Sequence, residues 1–289
     1  MEKQPLFTGV CTALVTPFRQ GKVDEGALRR LIRRQLEAGV PALAVCGTTG
    51  ESSTLQDDEW ERVLACSLET AGGDAVIIAG TGTNDLRHTL HRAHRAAALG
   101  ADAQLVVTPY YNKTTQQGLI QYYSRLAGYT ALPILMYNVP GRTGLNMLPE
   151  TAARLAEHPQ IIGIKEAGGN LNQLAALTQI CDLPVYCGSD ELNAPSLRLG
   201  AQGVISVVSN LIPAEMARLC GAPGAAADAM QRQWMPLIKA LFAETNPAPV
   251  KAALHLMGLC SDEVRLPLVR VQPETLRRLR SLLPEGVYA

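Results

Sequence analysis

The sequence predicts a (β/α)8 TIM barrel with a C-terminal helical appendage, and three observations carry that prediction. Short β-branched runs recur eight times at fairly even intervals, an amphipathic segment of helical periodicity follows them, and after roughly residue 225 no further run appears. Eight such units in series suit a closed barrel better than an open doubly wound sheet, which usually has about six strands and a glycine fingerprint in its first turn. The chain contains neither G-x-G-x-x-G nor a Walker loop.

In chain order the strands are expected near residues 9–18, 42–48, 75–82, 103–109, 133–140, 161–167, 184–190 and 203–210. The first intervening segment, Asp24 to Ala38, places Leu28, Leu31, Ile32 and Leu36 on one stripe and arginine and glutamate side chains on the other, as a helix packed on a sheet requires. Asp57, Asp85 and Asn170 stand where N-caps belong, because a short polar side chain can accept from the free amides of a first turn. Gly39, Gly100 and Gly200 stand where a left-handed residue closes a helix. Helical patterning resumes through Met230 to Met257 and Pro273 to Leu283, which assigns residues 1–224 to the barrel and 225–289 to a helical region.

Composition excludes several classes of function. The chain has 289 residues, 47% hydrophobic and 18% charged, enough to bury a large core. No stretch approaches the ~18 unbroken apolar residues of a membrane span. Twenty-six basic and twenty-six acidic side chains cancel and are scattered, so no long-range field favours nucleic acid or anionic lipid as a partner. The seven cysteines are odd in number and show no C-x-x-C pair, which fits a reducing compartment. The opening Met-Glu-Lys-Gln-Pro-Leu-Phe lacks an apolar signal core, so a cytoplasmic location is expected.

Reactive side chains of a barrel gather at the C-terminal ends of its strands. In Ile161-Ile162-Gly163-Ile164-Lys165-Glu166-Ala167, the alternation that turns Lys165 inward also turns Gly163 and Ala167 inward, leaving room for a ligand, and sends Glu166 to the helix layer. A lysine in a water-poor interior is costly as a charge, and its neutral amine is a nucleophile for carbonyls, so Schiff-base chemistry is one reading. A lysine paired to a buried carboxylate is the other, and strand position alone does not choose between them.

The fifth strand ends Tyr137-Asn138-Val139-Pro140-Gly141-Arg142-Thr143-Gly144, placing a phenol on the barrel axis and a guanidinium above it. Tyrosine can shuttle a proton and arginine can fork a carboxylate, although the same residues also serve as core and as solvated surface. The second strand ends Gly47-Thr48-Thr49-Gly50-Glu51-Ser52, where consecutive amides can hold a carboxylate or simply make a turn. His88, His91 and His94 fall three apart on a helix but alternate with arginines on an expected wet face, so no metal site is expected there. Tyr110-Tyr111, following Thr108-Pro109, suggests an interface or a pocket lid.

Taken together, Gly-Thr-Thr-Gly-Glu-Ser-Ser-Thr-Leu (47–55), Thr-Pro-Tyr-Tyr-Asn-Lys (108–113), Tyr-Asn-Val-Pro-Gly-Arg-Thr-Gly (137–144) and Gly-Ile-Lys-Glu-Ala (163–167) resemble the 4-hydroxy-tetrahydrodipicolinate (dihydrodipicolinate) synthase family of the pyruvate Schiff-base aldolases. The resemblance runs in order from about residue 7 to 221. N-acetylneuraminate lyases and keto-deoxy sugar acid aldolases share the lysine and the Tyr-Asn-x-Pro element, but Arg142 and Thr49 favour the synthase.

The resemblance implies a lyase of lysine and diaminopimelate biosynthesis in which Lys165 condenses with pyruvate. The enamine then attacks L-aspartate 4-semialdehyde, with no metal or organic cofactor. It further implies that Tyr137, Thr48 and Tyr111 relay protons, Tyr111 from a neighbouring subunit of a homotetramer built from dimers. Thr48 and Thr49 amides would hold the pyruvate carboxylate, Arg142 the carboxylate of the second substrate, and Ser189 and Val207 would line the pocket. Position 189 departs from the glycine expected there. A regulatory lysine site is implied around Ser52, Asn84 and Tyr110, yet His88 replaces the expected glutamate and Asp57 and Trp60 stand where histidines are frequent, so weak or absent lysine sensitivity is expected. A catalytically silent ligand-binding homologue is the alternative from another class. The intact Lys165, Tyr137 and Arg142 speak against it.

Overall fold

In the computed structural model, which describes residues 3–283, eight parallel strands close on themselves. They are β1 (Gly9–Ala13), β2 (Ala42–Val45), β3 (Val76–Gly80), β4 (Ala103–Val107), β5 (Ile134–Asn138), β6 (Ile161–Glu166), β7 (Val185–Cys187) and β8 (Gly203–Ser206). Each pairs with its sequence neighbours, and β1 pairs with both β2 and β8 to seal the barrel. A helix follows each strand: α1 (Glu25–Glu37), α2 (Asp57–Ala71), α3 (Leu86–Leu99), α4 (Gln116–Tyr129), α5 (Pro149–Leu155), α6 (Leu171–Ile180), α7 (Asn193–Arg198) and α8 (Pro213–Gly221). These helices cover the outer strand faces, which is why the strands read as nearly unbroken apolar runs rather than alternating ones.

The expected strands overrun the observed ones where apolar residues stay buried in loops. Beyond Ala13, Leu14 is buried and gives a last bond to Ala44 O, Val15 turns its amide to the Asn210 side chain, and Phe18–Arg19 pairs with Lys22–Val23 in a short antiparallel hairpin. After Ser206, residues Val208–Asn210 form a 3-10 turn. Burial is legible in composition, whereas hydrogen-bond direction is not.

Asp24 caps α1 by accepting from Ala27 N–H at 2.9 Å, and Leu28, Leu31 and Ile32 are buried on its inner stripe, with Leu36 half-buried. Asp85 and Asn170 cap α3 and α6 as expected. Asp57 does not cap α2. Gln56 takes that place in a reciprocal box with Glu59, which frees the Asp57 carboxylate to reach His88 at 3.1 Å and Arg92 at 3.3 Å on α3. Gly100 closes α3 with φ +94°; Gly39 and Gly200 lie one residue beyond their caps at +74° and +97°.

Among the described residues three helices follow the barrel: α9 (Gly224–Leu241), α10 (Ala248–Leu256) and α11 (Pro273–Leu282). The continuous pattern expected from Met230 to Met257 is therefore two helices, broken across residues 242–247. The Asn246-Pro247 step explains the break, since proline biases the residue before it away from helical geometry. Residues 284–289 of the expected helical region lie outside the described residues. No described helix is long and apolar enough to cross a membrane, and all seven cysteines are free.

Candidate active site

At the C-terminal mouth of the barrel lies a cavity of about 380 Å³ lined by Thr48, Thr49, Tyr137, Arg142, Lys165, Ser189 and Val207, among others. The structure thus brings together seven of the residues singled out in the sequence. A recess of about 590 Å³ at the opposite end is lined mainly by small side chains and holds none of them.

Lys165 is 6% exposed on β6, and its register partner on β5 is Tyr137. Its Nζ lies 4.3 Å from the centre of the Tyr137 ring. Among the described residues no carboxylate pairs with Nζ and no hydrogen bond occupies it. This excludes the reading in which Lys165 is one half of a buried ion pair. The adjacent carboxylate, Glu166, points to the helix layer as expected. There its oxygens accept from Asn138 Nδ2 and Gln173 Nε2, each at 2.8 Å, and from Gly168 N–H at 2.6 Å. Burial raises its pKa above the ordinary 4.5, against the pull of these donors.

The room around the lysine has a different source from the one expected. Ala167 lines the cavity, but a Cβ on Gly163 would meet Leu135 and the Pro184 carbonyl, so that glycine serves packing inside the barrel. The space belongs to Gly188, at the end of β7. A Cβ there would lie 2.6 Å from Lys165 Cε and 2.8 Å from Ala167 Cβ. The glycine that the site requires is therefore at 188, and Ser189 follows it on the rim.

Thr48 and Thr49 sit in the tight turn after β2. Glu51 N–H donates to Thr48 O at 3.1 Å, and Ser52 N–H to Gly47 O at 3.3 Å. Cys46 and Glu51 hold left-handed φ values of +54° and +53°, a costly conformation that fixes the path of the turn. No bond within the described residues uses the amides of Thr48 or Thr49, which leaves two donors at the cavity for an anion.

Three site residues carry no signal in the sequence periodicity. Asn246 lies in the break between α9 and α10. Its side-chain amide donates to Thr49 Oγ1 at 3.0 Å, and its backbone carbonyl accepts from Arg142 Nη2 at 3.0 Å. An Asn-Pro dipeptide inside a helical pattern is the signal that would have found it. Asp190 lines the cavity and accepts from the amides of Val207 at 2.8 Å and Val208 at 3.0 Å, tying the end of β7 to the end of β8. Gly188 is the third.

Tyr111 does not reach this cavity from its own chain. Its side chain is 89% exposed, on a residue with φ +68°. Together with Ser52, Tyr110 and Arg92 it lines a neighbouring cavity of about 780 Å³ that shares Thr48 and Arg142 with the first. Asn84 and His88 do not line it. The Asn84 carbonyl accepts from Asn112, and His88 faces Asp57. His94 bonds the Tyr129 carbonyl, and among the described residues no group of three or more His, Cys, Asp or Glu side chains could hold a metal ion.

A closed parallel barrel with an unpaired lysine at its mouth, flanked by a phenol, two free amides and a guanidinium, defines a (β/α)8 enzyme of the Schiff-base lyase class. Residues 6–285 match the dihydrodipicolinate synthetase family, and the chain belongs to that family. It is 47% identical to the 4-hydroxy-tetrahydrodipicolinate synthase of Geotalea daltonii over 286 residues, 97% of this chain and 99% of the relative. The crystal structure of dihydrodipicolinate synthase from Thermotoga maritima superposes with a TM-score of 0.95 at 46% identity, covering 96% of this chain and 98% of that one. A monomeric dihydrodipicolinate synthase variant matches with a TM-score of 0.94 at 46% identity, covering 96% and 95%.

Proposed function

We propose that Lys165 carries the imine in the reaction of this family, the condensation of pyruvate with L-aspartate 4-semialdehyde to 4-hydroxy-tetrahydrodipicolinate. That lyase activity, in lysine and diaminopimelate biosynthesis, is the activity of this chain. The observation that carries the assignment is the Lys165 amine, buried, unpaired and set against Tyr137.

In this reading the amine adds to the pyruvate ketone and water leaves, giving a protonated imine that acts as electron sink. Loss of a methyl proton gives the enamine. The enamine carbon bonds to the aldehyde carbon of the second substrate, whose oxygen takes up a proton to become the hydroxyl. The amino group of the condensed chain then attacks the imine carbon, closing the ring and returning Lys165. Each step needs a proton carrier more than a Lewis acid. Tyr137 and Thr48 both line the cavity and serve as those carriers.

The Thr48 and Thr49 amides hold the pyruvate carboxylate, and Arg142 holds that of the semialdehyde. Ser189 and Val207 bound the pocket. Tyr111 completes the relay from a second copy of the chain, a role favoured by an aromatic side chain that is almost fully exposed on a strained backbone. A homotetramer built from dimers is the assembly this reading implies, in the cytoplasm. Borohydride reduction in the presence of pyruvate is the test. Mass spectrometry should locate one pyruvate-derived adduct on Lys165, and an adduct on another lysine, or none, would overturn the assignment.

A further inference from the structure

A second buried lysine stands apart from the reacting amine. Lys251, on α10, is fully buried, and its Nζ bonds Glu51 Oε1 at 2.7 Å, with both side chains at most 1% exposed. The other carboxylate oxygen, Oε2, accepts from Arg265 N–H at 3.0 Å. The Phe18 ring lies beneath, 4.2 Å from Lys251 Nζ and 4.3 Å from the Arg265 guanidinium. Burial lowers the proton affinity of this lysine, and the Glu51 carboxylate opposes that shift.

A dry ion pair is a poor source of stability, because desolvating two charges costs about as much as their attraction returns. Its location suggests another use. Glu51 belongs to the Thr48–Thr49 turn, and its own amide donates to Thr48 O at 3.1 Å, so moving the Glu51 backbone moves the carboxylate-binding amides. The left-handed φ of Glu51, +53°, is strained and needs an anchor. The segment that supplies the anchor, residues 246–251, also grips Thr49 and Arg142 through Asn246.

We propose that the Glu51–Lys251 ion pair is a positioning device which locks the Thr48–Thr49 turn onto α10 and so sets the pyruvate carboxylate site. The inference rests on the reading that those two amides bind that carboxylate. Neither residue touches substrate; each acts through the turn. The helices after the barrel thereby become part of the catalytic apparatus.

The test replaces both charges together, since removing one would strand the other in the core. Glu51→Met/Lys251→Met should fold with an unchanged or raised melting temperature. Its KM for pyruvate should rise about tenfold or more, as for loss of one charge-assisted hydrogen bond, while KM for aspartate semialdehyde moves little. A merely structural tie predicts the opposite pairing, in which restored stability brings pyruvate KM back to the wild-type value, and that result would overturn the proposal. Should the double variant not fold, Glu51→Gln, nearly isosteric, gives the same KM comparison, because burial already favours the neutral amine of Lys251 once the carboxylate is gone, and wild-type pyruvate KM there also overturns it. A crystal structure of the reduced wild-type pyruvate adduct separates the two premises. A carboxylate seated on the Thr48 and Thr49 amides supports the underlying reading, and one seated elsewhere sinks that reading and the positioning role with it.

Discussion

Gly188→Ala adds a single methyl group at the point where β7 meets Lys165, the proposed nucleophile. The new Cβ would lie 2.6 Å from Lys165 Cε, 2.8 Å from Ala167 Cβ and 3.1 Å from Lys165 Cγ. Carbon atoms in favourable contact sit ~3.5–4.0 Å apart, so the lysine must retreat by about 1 Å. Its stem cannot swing aside freely, because the clash includes Cγ and the fixed Ala167 methyl as well as the flexible end. Overpacking of this kind costs about 1–3 kcal/mol, which the fold can absorb. The catalytic cost is larger, since displacing a reacting group by about 1 Å lowers rates by ~100-fold. The variant should therefore show a native far-UV spectrum and a modest fall in melting temperature, with kcat/KM reduced by about two orders of magnitude. Borohydride trapping with pyruvate should slow in parallel, because the displaced atoms belong to the proposed nucleophile. Near-wild-type turnover in a folded Gly188→Ala enzyme would refute the claim that this glycine sets the position of Lys165.

Two further outcomes are expected from residues at the same mouth. Arg142→Ala should raise KM for aspartate semialdehyde far more than it slows imine formation from pyruvate, if the guanidinium serves the second carboxylate as proposed; single-turnover trapping beside steady-state assays separates the two, and equal loss in both would mark a structural arginine. Activity should require at least a dimer if Tyr111 acts across an interface, and a fully active monomer found by sedimentation under assay conditions would contradict that role.

The barrel was legible because its signal is repetitive. Eight apolar runs separated by amphipathic helices leave few other architectures, and the candidate residues lie at or just beyond the C-terminal ends of strands, where a barrel gathers its site. Alternation assigns the direction of Lys165 and Tyr137, while Thr48, Thr49, Arg142, Ser189 and Val207 reach the same cavity from the turns that follow the strands. Residues whose role depends on distant partners were not legible. Asn246, Lys251 and Arg265 come from the last quarter of the chain and act on residues some two hundred positions earlier, through contacts that no local period encodes. Gly188 escaped because a glycine at a strand end looks like turn chemistry until the neighbouring lysine is in place. Asp57 departs from the expected cap for a related reason. Local pattern favours aspartate as a cap, but Gln56 and Glu59 form the box, and the partners of Asp57 lie on the next helix.

That departure bears on whether free lysine, the end product of the pathway, inhibits the enzyme. An α,ε-diamino acid in the cavity beside Tyr110 would need a carboxylate for its side-chain ammonium. Among the described residues Glu51 is the only acidic one lining that cavity, and both its oxygens are already engaged by Lys251 and Arg265. Asp57 does not line that cavity and faces His88 and Arg92 instead. The His88 hydrogen bond, helped by Arg92, holds its carboxyl below the usual aspartate value. Arg92, 5% exposed, and Lys113 line the same cavity and add positive charge where an ammonium would enter. Loss of one charge-assisted hydrogen bond costs about 1.5–3 kcal/mol, a roughly ten- to hundredfold loss of affinity. Inhibition by lysine should accordingly be weak or absent when measured at saturating pyruvate. Half-inhibition well below millimolar lysine would show this reasoning to be wrong.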